Sequence, residues 1–394
     1  MITIIHPGLL TTVQGPPRHN VQAYGVSPGG AQDLQAFRIG NWLVGNEDDC
    51  PALEITLIGP TLRFEYAALI SITGALCKIT RKSQAHRYSS STLTPWSPVL
   101  VDAGDILIFG DMPRGFRTYL CVRGGIHVAP VLRGFGTDLK NGFGGHQGRA
   151  LQKGDVISLN VSTAPVHSAN PEPQRATYRR VPPRFGRDAG SWSVSLWHPW
   201  YPNLGDSVLW LPYDSVAPNF KGPAASQRQN NIPSCAQDLV NPLDQPCKVL
   251  PASDRQGLRI TPIVPLPCRK VEPACSPDTS QTQSHVARAA PWESNSTGVC
   301  FGLIQLPPDG NPVVLLADHQ ASGGYPILGV VASVSRSHLS QLRPGDKVTF
   351  RRITLAAAQK ALIAQEESLR YLRLQLTHKL ASLGLRDNDY FANS

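Results

Sequence analysis

The sequence predicts a mainly β protein of short strands with a few helices, the longest at the C-terminus. Three observations lead there. Glycine (34) and proline (35) are abundant among the 394 residues, which suits short strands joined by tight turns better than long helices. Three segments, Asp102-Ala-Gly-Asp105, Gln152-Lys-Gly-Asp155 and Arg343-Pro-Gly-Asp346, each place a Gly-Asp turn ahead of a β-rich run. Further β-rich runs span 52–57, 61–64, 69–73, 118–122 and 330–334, a spacing that suits barrels of short antiparallel strands.

Two stretches have helical periodicity. Residues 31–43 carry Leu34, Phe37, Arg38, Asn41 and Trp42 at helical spacing, with Asp33 near the positive N-terminal end. Residues 355–383 place Leu355, Leu362, Leu369, Leu372 and Leu376 on one stripe, to pack on its own domain or on a partner. The expected organisation is a first barrel over 1–160, a divergent proline-rich middle over 161–295 holding part of a second barrel, that barrel's core over 296–353, and a helix and tail over 354–394. The layouts of Gly59-Pro-Thr-Leu-Arg-Phe64 and Gly310-Asn-Pro-Val-Val-Leu-Leu316 echo each other, as two related barrels would.

A length of 394 residues with 41% hydrophobic and 16% charged residues suits two lightly charged domains. The net charge of +9 raises nucleic acid as a partner, but no block of like charges or basic–aromatic groove supports one. Mild anion affinity is the better inference. No apolar run approaches the ~18 residues of a membrane span, and the N-terminus lacks a basic segment before its short apolar run. A cytoplasmic protein is expected. Eight cysteines are too sparse for a disulfide scaffold. Cys50, Cys77, Cys121 and Cys300 read as buried thiols; Cys235, Cys247, Cys268 and Cys275 contain no C-x-x-C pair, so no metal site is expected.

The most informative run is Asp318-His-Gln-Ala-Ser-Gly-Gly-Tyr-Pro326, which follows the apolar strand 313–317. It brings Asp318, Gln320 and Tyr325 to one spot and is expected to hold Gly323 or Gly324 at positive φ. A glycine-rich hairpin with a solvated Asp is the alternative.

Other motifs stand in order along the chain: Pro7-Gly-Leu-Leu-Thr-Thr-Val-Gln14, Gly25-Val-Ser-Pro-Gly-Gly-Ala-Gln-Asp33, Ala52-Leu-Glu-Ile-Thr-Leu57, Arg117-Thr-Tyr-Leu-Cys-Val-Arg-Gly-Gly-Ile126, Phe143-Gly-Gly-His-Gln-Gly-Arg149 and Gly302-Leu-Ile-Gln-Leu-Pro-Pro-Asp-Gly310. Together they resemble the carboxyltransferase subdomain A and B family, represented by the C-type subunit of 5-oxoprolinase and the matching part of urea carboxylase. The resemblance covers 1–160 and 296–353. It implies two cyclophilin-like β-barrels and an enzyme component active only in a complex with the 5-oxoprolinase subunits A and B. That complex opens 5-oxo-L-proline to L-glutamate, with ATP held on a partner chain.

Two other activities stay open. One is biotin-dependent carboxyl transfer to a urea-like amide, with biotin on another chain. The other is a non-catalytic regulator that binds a B-like partner. The resemblance implies catalytic roles for His146, Asp318 and Gln320. It implies substrate-binding roles for Gln14, Arg18, Lys140, Gln147, Arg149, Asp254, Arg255, Gln305, Gly323, Gly324 and Tyr325. Asp254 and Arg255 either position a ligand or pair with each other. The chain departs from the family at Gly15-Pro16-Pro17, where a carboxylate is lost, and at Gln256 and Leu258.

Overall fold

A computed structural model describes residues 1–83, 89–160, 207–216, 241–264 and 296–382. Most of the proline-rich middle, with Cys235, Cys268 and Cys275, lies outside the described residues. The first unit holds β1 (Ile2–His6), β2 (Leu10–Gln14), β3 (Ala52–Thr56), β4 (Thr61–Phe64), β5 (Ala68–Leu76) and β6 (Ile79–Ser83). It continues with β7 (Ser89–Leu93), β8 (Pro98–Val101), β9 (Ile106–Phe109), β10 (Arg114–Val122) and β11 (Val156–Ile157). These strands form two antiparallel sheets, ordered β11-β1-β4-β9-β6-β7 and β2-β3-β10-β5-β8. Ile2, Ile4, Leu53, Ile55, Leu62, Phe64, Ile70 and Leu120 fill the space between them.

The second unit comprises β12 (Val208–Pro212), β13 (Cys247–Val249), β14 (Gly257–Pro262), β15 (Thr297–Gly298) and β16 (Leu303–Gln305). It ends with β17 (Val313–Leu315), β18 (Ser322–Gly323), β19 (Ile327–Val331), β20 (Lys347–Val348) and β21 (Phe350–Arg352). Eight of them make one sheet, β20-β13-β14-β17-β16-β19-β12-β21. Its two edge strands are joined through Thr349 alone, so the sheet curls into a nearly closed barrel around Trp210, Ile260, Ile304, Val314 and Leu339. The fold is therefore mainly β. Among the described residues no helix is long and apolar enough to cross a membrane.

The three Gly-Asp turns share one hydrogen-bonded design. Asp105, Asp155 and Asp346 each accept from the backbone N–H three residues earlier, at 2.8, 2.7 and 3.0 Å. Their glycines, Gly104, Gly154 and Gly345, all take positive φ. A conformation that only glycine adopts cheaply, followed by a short acceptor side chain, explains why the motif recurs at strand entries.

The helices are α1 (Leu34–Leu43), the one-turn α2 (Tyr213–Val216), α3 (Arg336–Gln341) and α4 (Leu355–Ser382). The first begins three residues later than the periodicity predicts, because Asp33 is its cap and accepts from the Ala36 N–H at 3.1 Å. It lies close over the outer face of the five-stranded sheet, where the hydroxyls of Ser71 and Thr73 donate to the carbonyls of Gly40 and Ala36. The expected strand 330–334 stops at Val331, and a 3-10 turn over Ser333–Ser335 follows.

Helix α4 braces both units. Its start packs Ala358 near Leu211 and Ala332 of the second unit. Its end buries Leu369, Leu372, Leu376 and Leu380 against Phe37, Trp42 and Trp96 of the first. Leu362 of the predicted stripe is only partly buried, since it lies where the helix crosses between the two cores.

Candidate functional site

Strand alternation builds the site. In β3, Leu53 and Ile55 point into the core, which sends Ala52, Glu54 and Thr56 to the sheet's outer face. In β10, Leu120 and Val122 point inward and Tyr119 points outward, directly opposite Glu54 in register. In β2, Val13 is inside, placing Thr12 and Gln14 on that same outer face. Helix α1 covers part of this face. The second unit covers the rest, and the polar side chains meet in the seam between them.

Arg255 is the centre of the seam. It donates to Asp318 from Nε and Nη2, at 2.8 and 3.0 Å, and to the Gly30 carbonyl at 2.7 Å. Its remaining nitrogen pairs with Glu54 of the first unit. Glu54 also accepts from the Tyr119 hydroxyl and the Gln32 N–H, both at 2.8 Å, and lies 3.6 Å from Arg117 Nε. Arg117 donates to the Ser340 carbonyl of α3 at 2.7 Å. The result is an alternating ladder, Arg117–Glu54–Arg255–Asp318, with Arg255 5% and Glu54 1% exposed.

Burial and pairing act differently on the two carboxylates. Burial alone would push the Glu54 carboxyl up, but Arg255, Arg117, the Gln32 N–H and the Tyr119 hydroxyl outweigh it and hold it below the usual range. For Asp318 burial prevails, and its carboxyl is pushed up despite Arg255. Desolvation lowers the His319 imidazole, whose Nδ1 lies 2.7 Å from the Gln320 carbonyl.

Arg18 approaches from the other side and is 3% exposed. Its Nε donates to the Val131 carbonyl at 3.1 Å, one terminal nitrogen pairs with the Gly136 carbonyl, and Phe143 lies 4.9 Å below. Its other terminal nitrogen, Nη1, is buried without a hydrogen-bond partner among the described residues. Gly29, at φ +62°, lies between this N–H and Asp318: a β-carbon there would sit 3.1 Å from Arg18 Nη1 and 3.7 Å from Asp318 Oδ1. Gln14 Oε1 and Gln305 Nε2 are likewise buried and unpartnered. Buried polar atoms normally find partners, so Arg18 Nη1 and Gln14 Oε1, whose side chains both lie against Gly136, mark a place for a polar ligand.

The structure thus brings Gln14, Arg18, Arg255 and Asp318 into the seam, while Gln305 and Gln320 of the second unit meet each other at 3.5 Å. Other expected residues are used elsewhere. Asp254 does not pair with Arg255; it closes its own turn by accepting from Gln256 and Gly257, at 2.7 and 3.0 Å. Arg149 is no free cation: it pairs bidentately with Asp155 at 2.7 and 2.8 Å and holds Gln147 at 2.8 Å. His146 lies 3.7 Å from the same Asp155. Lys140 is exposed, with its backbone N–H on Asp138 at 3.1 Å.

Neither Gly323 nor Gly324 takes positive φ, because Ser322 and Gly323 pair in ladder with β15. Gly323 instead allows a close approach, since a β-carbon there would lie 2.5 Å from Gln305 Nε2. Tyr325 is exposed, as is Cys300. Glu54, Arg117 and Tyr119 were not predicted as site residues. Among the described residues no group of three or more His, Cys, Asp or Glu could hold a metal ion.

The pairing of Arg149 with Asp155 gives a pH prediction. The hydrogen bond from Arg149 holds the Asp155 carboxyl down at about 2, against an ordinary 3.8. A depressed folded value means the stabilisation is full above about pH 4 and drains as pH falls toward about 2. Asp155→Asn is expected to flatten acid unfolding in that window. An unchanged acid limb contradicts the pairing.

A family model for the carboxyltransferase domain, subdomain A and B, matches residues 24–188 and 234–352. The chain is 30% identical to the C-type subunit of 5-oxoprolinase from Escherichia coli (strain K12) over 380 residues, covering 96% of this chain and 99% of that one. It is 28% identical to urea amidolyase of Lachancea kluyveri over 94% of its own length, but over only 18% of that protein. The crystal structure of K. lactis urea amidolyase superposes with a TM-score of 0.67 at 26% identity, over 93% of this chain and 19% of that one. The chain therefore spans about a fifth of those urea amidolyases and nearly all of the stand-alone 5-oxoprolinase component. By the match of sequence and fold, it belongs to the carboxyltransferase domain, subdomain A and B, family.

Proposed function

We propose that this chain is the C-type subunit of an ATP-dependent 5-oxoprolinase, opening 5-oxo-L-proline to L-glutamate together with A-like and B-like subunits. The end-to-end match to a separate C-type subunit carries this reading, and the chemistry of the seam supports it. 5-Oxoproline offers one carboxylate, one amide N–H and one amide carbonyl. The unpartnered atoms offer a cation at Arg18 Nη1, an acceptor at Gln14 Oε1 and a donor at Gln305 Nε2. In this reading Arg18 binds the carboxylate, Gln14 accepts from the lactam N–H, and Gln305 donates to the lactam oxygen. Asp318, whose raised carboxyl takes up a proton more readily, serves the departing nitrogen. Lys140 stands exposed for a phosphoryl group on a partner, and His146 carries protons at the loop edge.

One water breaks the lactam C–N bond: its oxygen enters the new carboxylate and the nitrogen gains a proton. ATP and a second water become ADP and phosphate, which drives the opening. ATP is held by a partner chain in this scheme.

The urea amidolyase similarity favours a second reading, carboxyl transfer from biotin carried on another chain. The ureido ring of carboxybiotin keeps one N–H beside C=O and carries a carboxylate on its other nitrogen, so the same groups suit it too; the end-to-end match to a separate C-type subunit, against 18% of the urea amidolyase, is what favours the first reading.

Reconstitution separates the readings. The lone chain is expected to show no 5-oxoproline-dependent ADP release, and adding cognate A-like and B-like subunits is expected to restore it. Turnover by the lone chain contradicts the proposal. So does a complete mixture that is silent with 5-oxoproline yet carboxylates urea from carboxybiotin.

A further inference from the structure

Two consecutive residues with full side chains, Leu132 (φ 51°) and Arg133 (φ 60°), both adopt the left-handed conformation. They form the centre of a two-residue hairpin closed by reciprocal hydrogen bonds between Val131 and Gly134, at 2.8 and 3.1 Å. Such turns strongly prefer Asn-Gly or Asp-Gly, because a β-carbon is strained at both positions. A Leu-Arg pair therefore folds there against local preference.

Among the described residues no hydrogen bond or ion pair of either side chain repays that choice. Leu132 is 46% exposed, and Arg133 is exposed with its guanidinium unpaired among the described residues. Ala129 and Pro130 are exposed too, and no carboxylate occurs from His127 to Thr137. An apolar ridge tipped by a free cation thus projects from the first unit. Its backbone also holds the seam: the Val131 carbonyl receives Arg18 Nε, and the Arg18 stem fills the place where a β-carbon on Gly134 would lie.

We propose that the ridge Ala129–Arg133 is a docking contact for a partner protein that presents an apolar socket edged by carboxylates, and that this contact is why Leu132 and Arg133 occupy a turn suited to Asn-Gly. The proposal rests on the reading that the chain works with a B-like subunit. Docking there would press on the turn whose Val131 carbonyl holds the Arg18 side chain, linking assembly to the substrate site.

The test combines Leu132→Asn with Arg133→Gly, which supplies the preferred turn residues and removes both side chains. A single Arg133→Glu variant provides the charge reversal. Two quantities are measured: the melting temperature of the isolated chain and its affinity for the cognate B-like subunit. The double variant is expected to melt at or above the wild-type temperature yet bind the B-like partner at least tenfold more weakly. Arg133→Glu is expected to lose at least as much affinity, and wild-type binding to weaken as salt rises. Binding within twofold of wild type in both variants overturns the ridge alone. A double variant that melts well below wild type overturns the strain argument. Failure of the wild-type chain to bind the B-like partner removes the complex reading and this contact with it.

Discussion

Arg255→Leu is expected to cost about 3–5 kcal/mol of stability, the largest loss of any single substitution in the seam. Removing one member of a buried ion pair leaves its partners charged, desolvated and unpaired, which is the source of that magnitude. Two carboxylates depend on this guanidinium, Glu54 from one unit and Asp318 from the other, and the Gly30 carbonyl loses its donor as well. Arg117 remains beside Glu54 at 3.6 Å and softens only part of the loss. Denaturant unfolding of the single variant should therefore shift strongly. The double variant Arg255→Leu, Asp318→Asn should recover part of the loss, because Glu54 then keeps Arg117 as its partner and no other charge of the ladder is stranded. A single variant within about 1 kcal/mol of wild type would show that water screens these groups.

Much of the candidate seam was legible in the motifs. The Asp318 run, Gln14, Arg18 and Arg255 all stand in or beside segments whose glycines and polar residues interrupt β patterning, and the fold gathers them. Glu54, Arg117 and Tyr119 were harder to see, because inside a strand they read as ordinary outward residues of an alternating pattern. A signal existed. Strand β3 is internal and buried at every position, so a glutamate on its outer face needed a cationic partner. Arg117 and Tyr119, two apart on the neighbouring strand, were the residues in register to supply part of it.

The misreadings have local causes. Arg149 looked like a free cation in a glycine-rich loop, but the Gly-Asp turn six residues later supplies its carboxylate. The same turn design captures Arg81 at Asp105, 2.5 Å apart. Asp254 was claimed by its own turn before Arg255 could reach it. The stripe on α4 was real, yet helical period says which face is apolar and not which of two cores it meets. In the Gly323-Gly324 segment, pairing with β15 imposed an extended backbone where glycine alone suggested a turn.

The second large effect concerns Arg18. Its unpartnered Nη1 is buried beside Gly29 and Asp318, so an anion bound there is desolvated and charge-assisted. Arg18→Met is expected to weaken binding of 5-oxoproline by about 1.5–3 kcal/mol, roughly tenfold to over a hundredfold. Arg18→Lys should fall between, keeping the charge but losing the planar fork that also holds the Val131 and Gly136 carbonyls.

The central claim, that Arg18 reads an anionic lactam in the seam, is tested most directly by calorimetric titration of the assembled complex. The ligands are 5-oxo-L-proline and its uncharged carboxamide. Wild type is expected to prefer the acid by tenfold or more, and Arg18→Met to bind both equally at the weaker level. Equal wild-type affinity for the two ligands, or an acid preference that survives Arg18→Met, contradicts it.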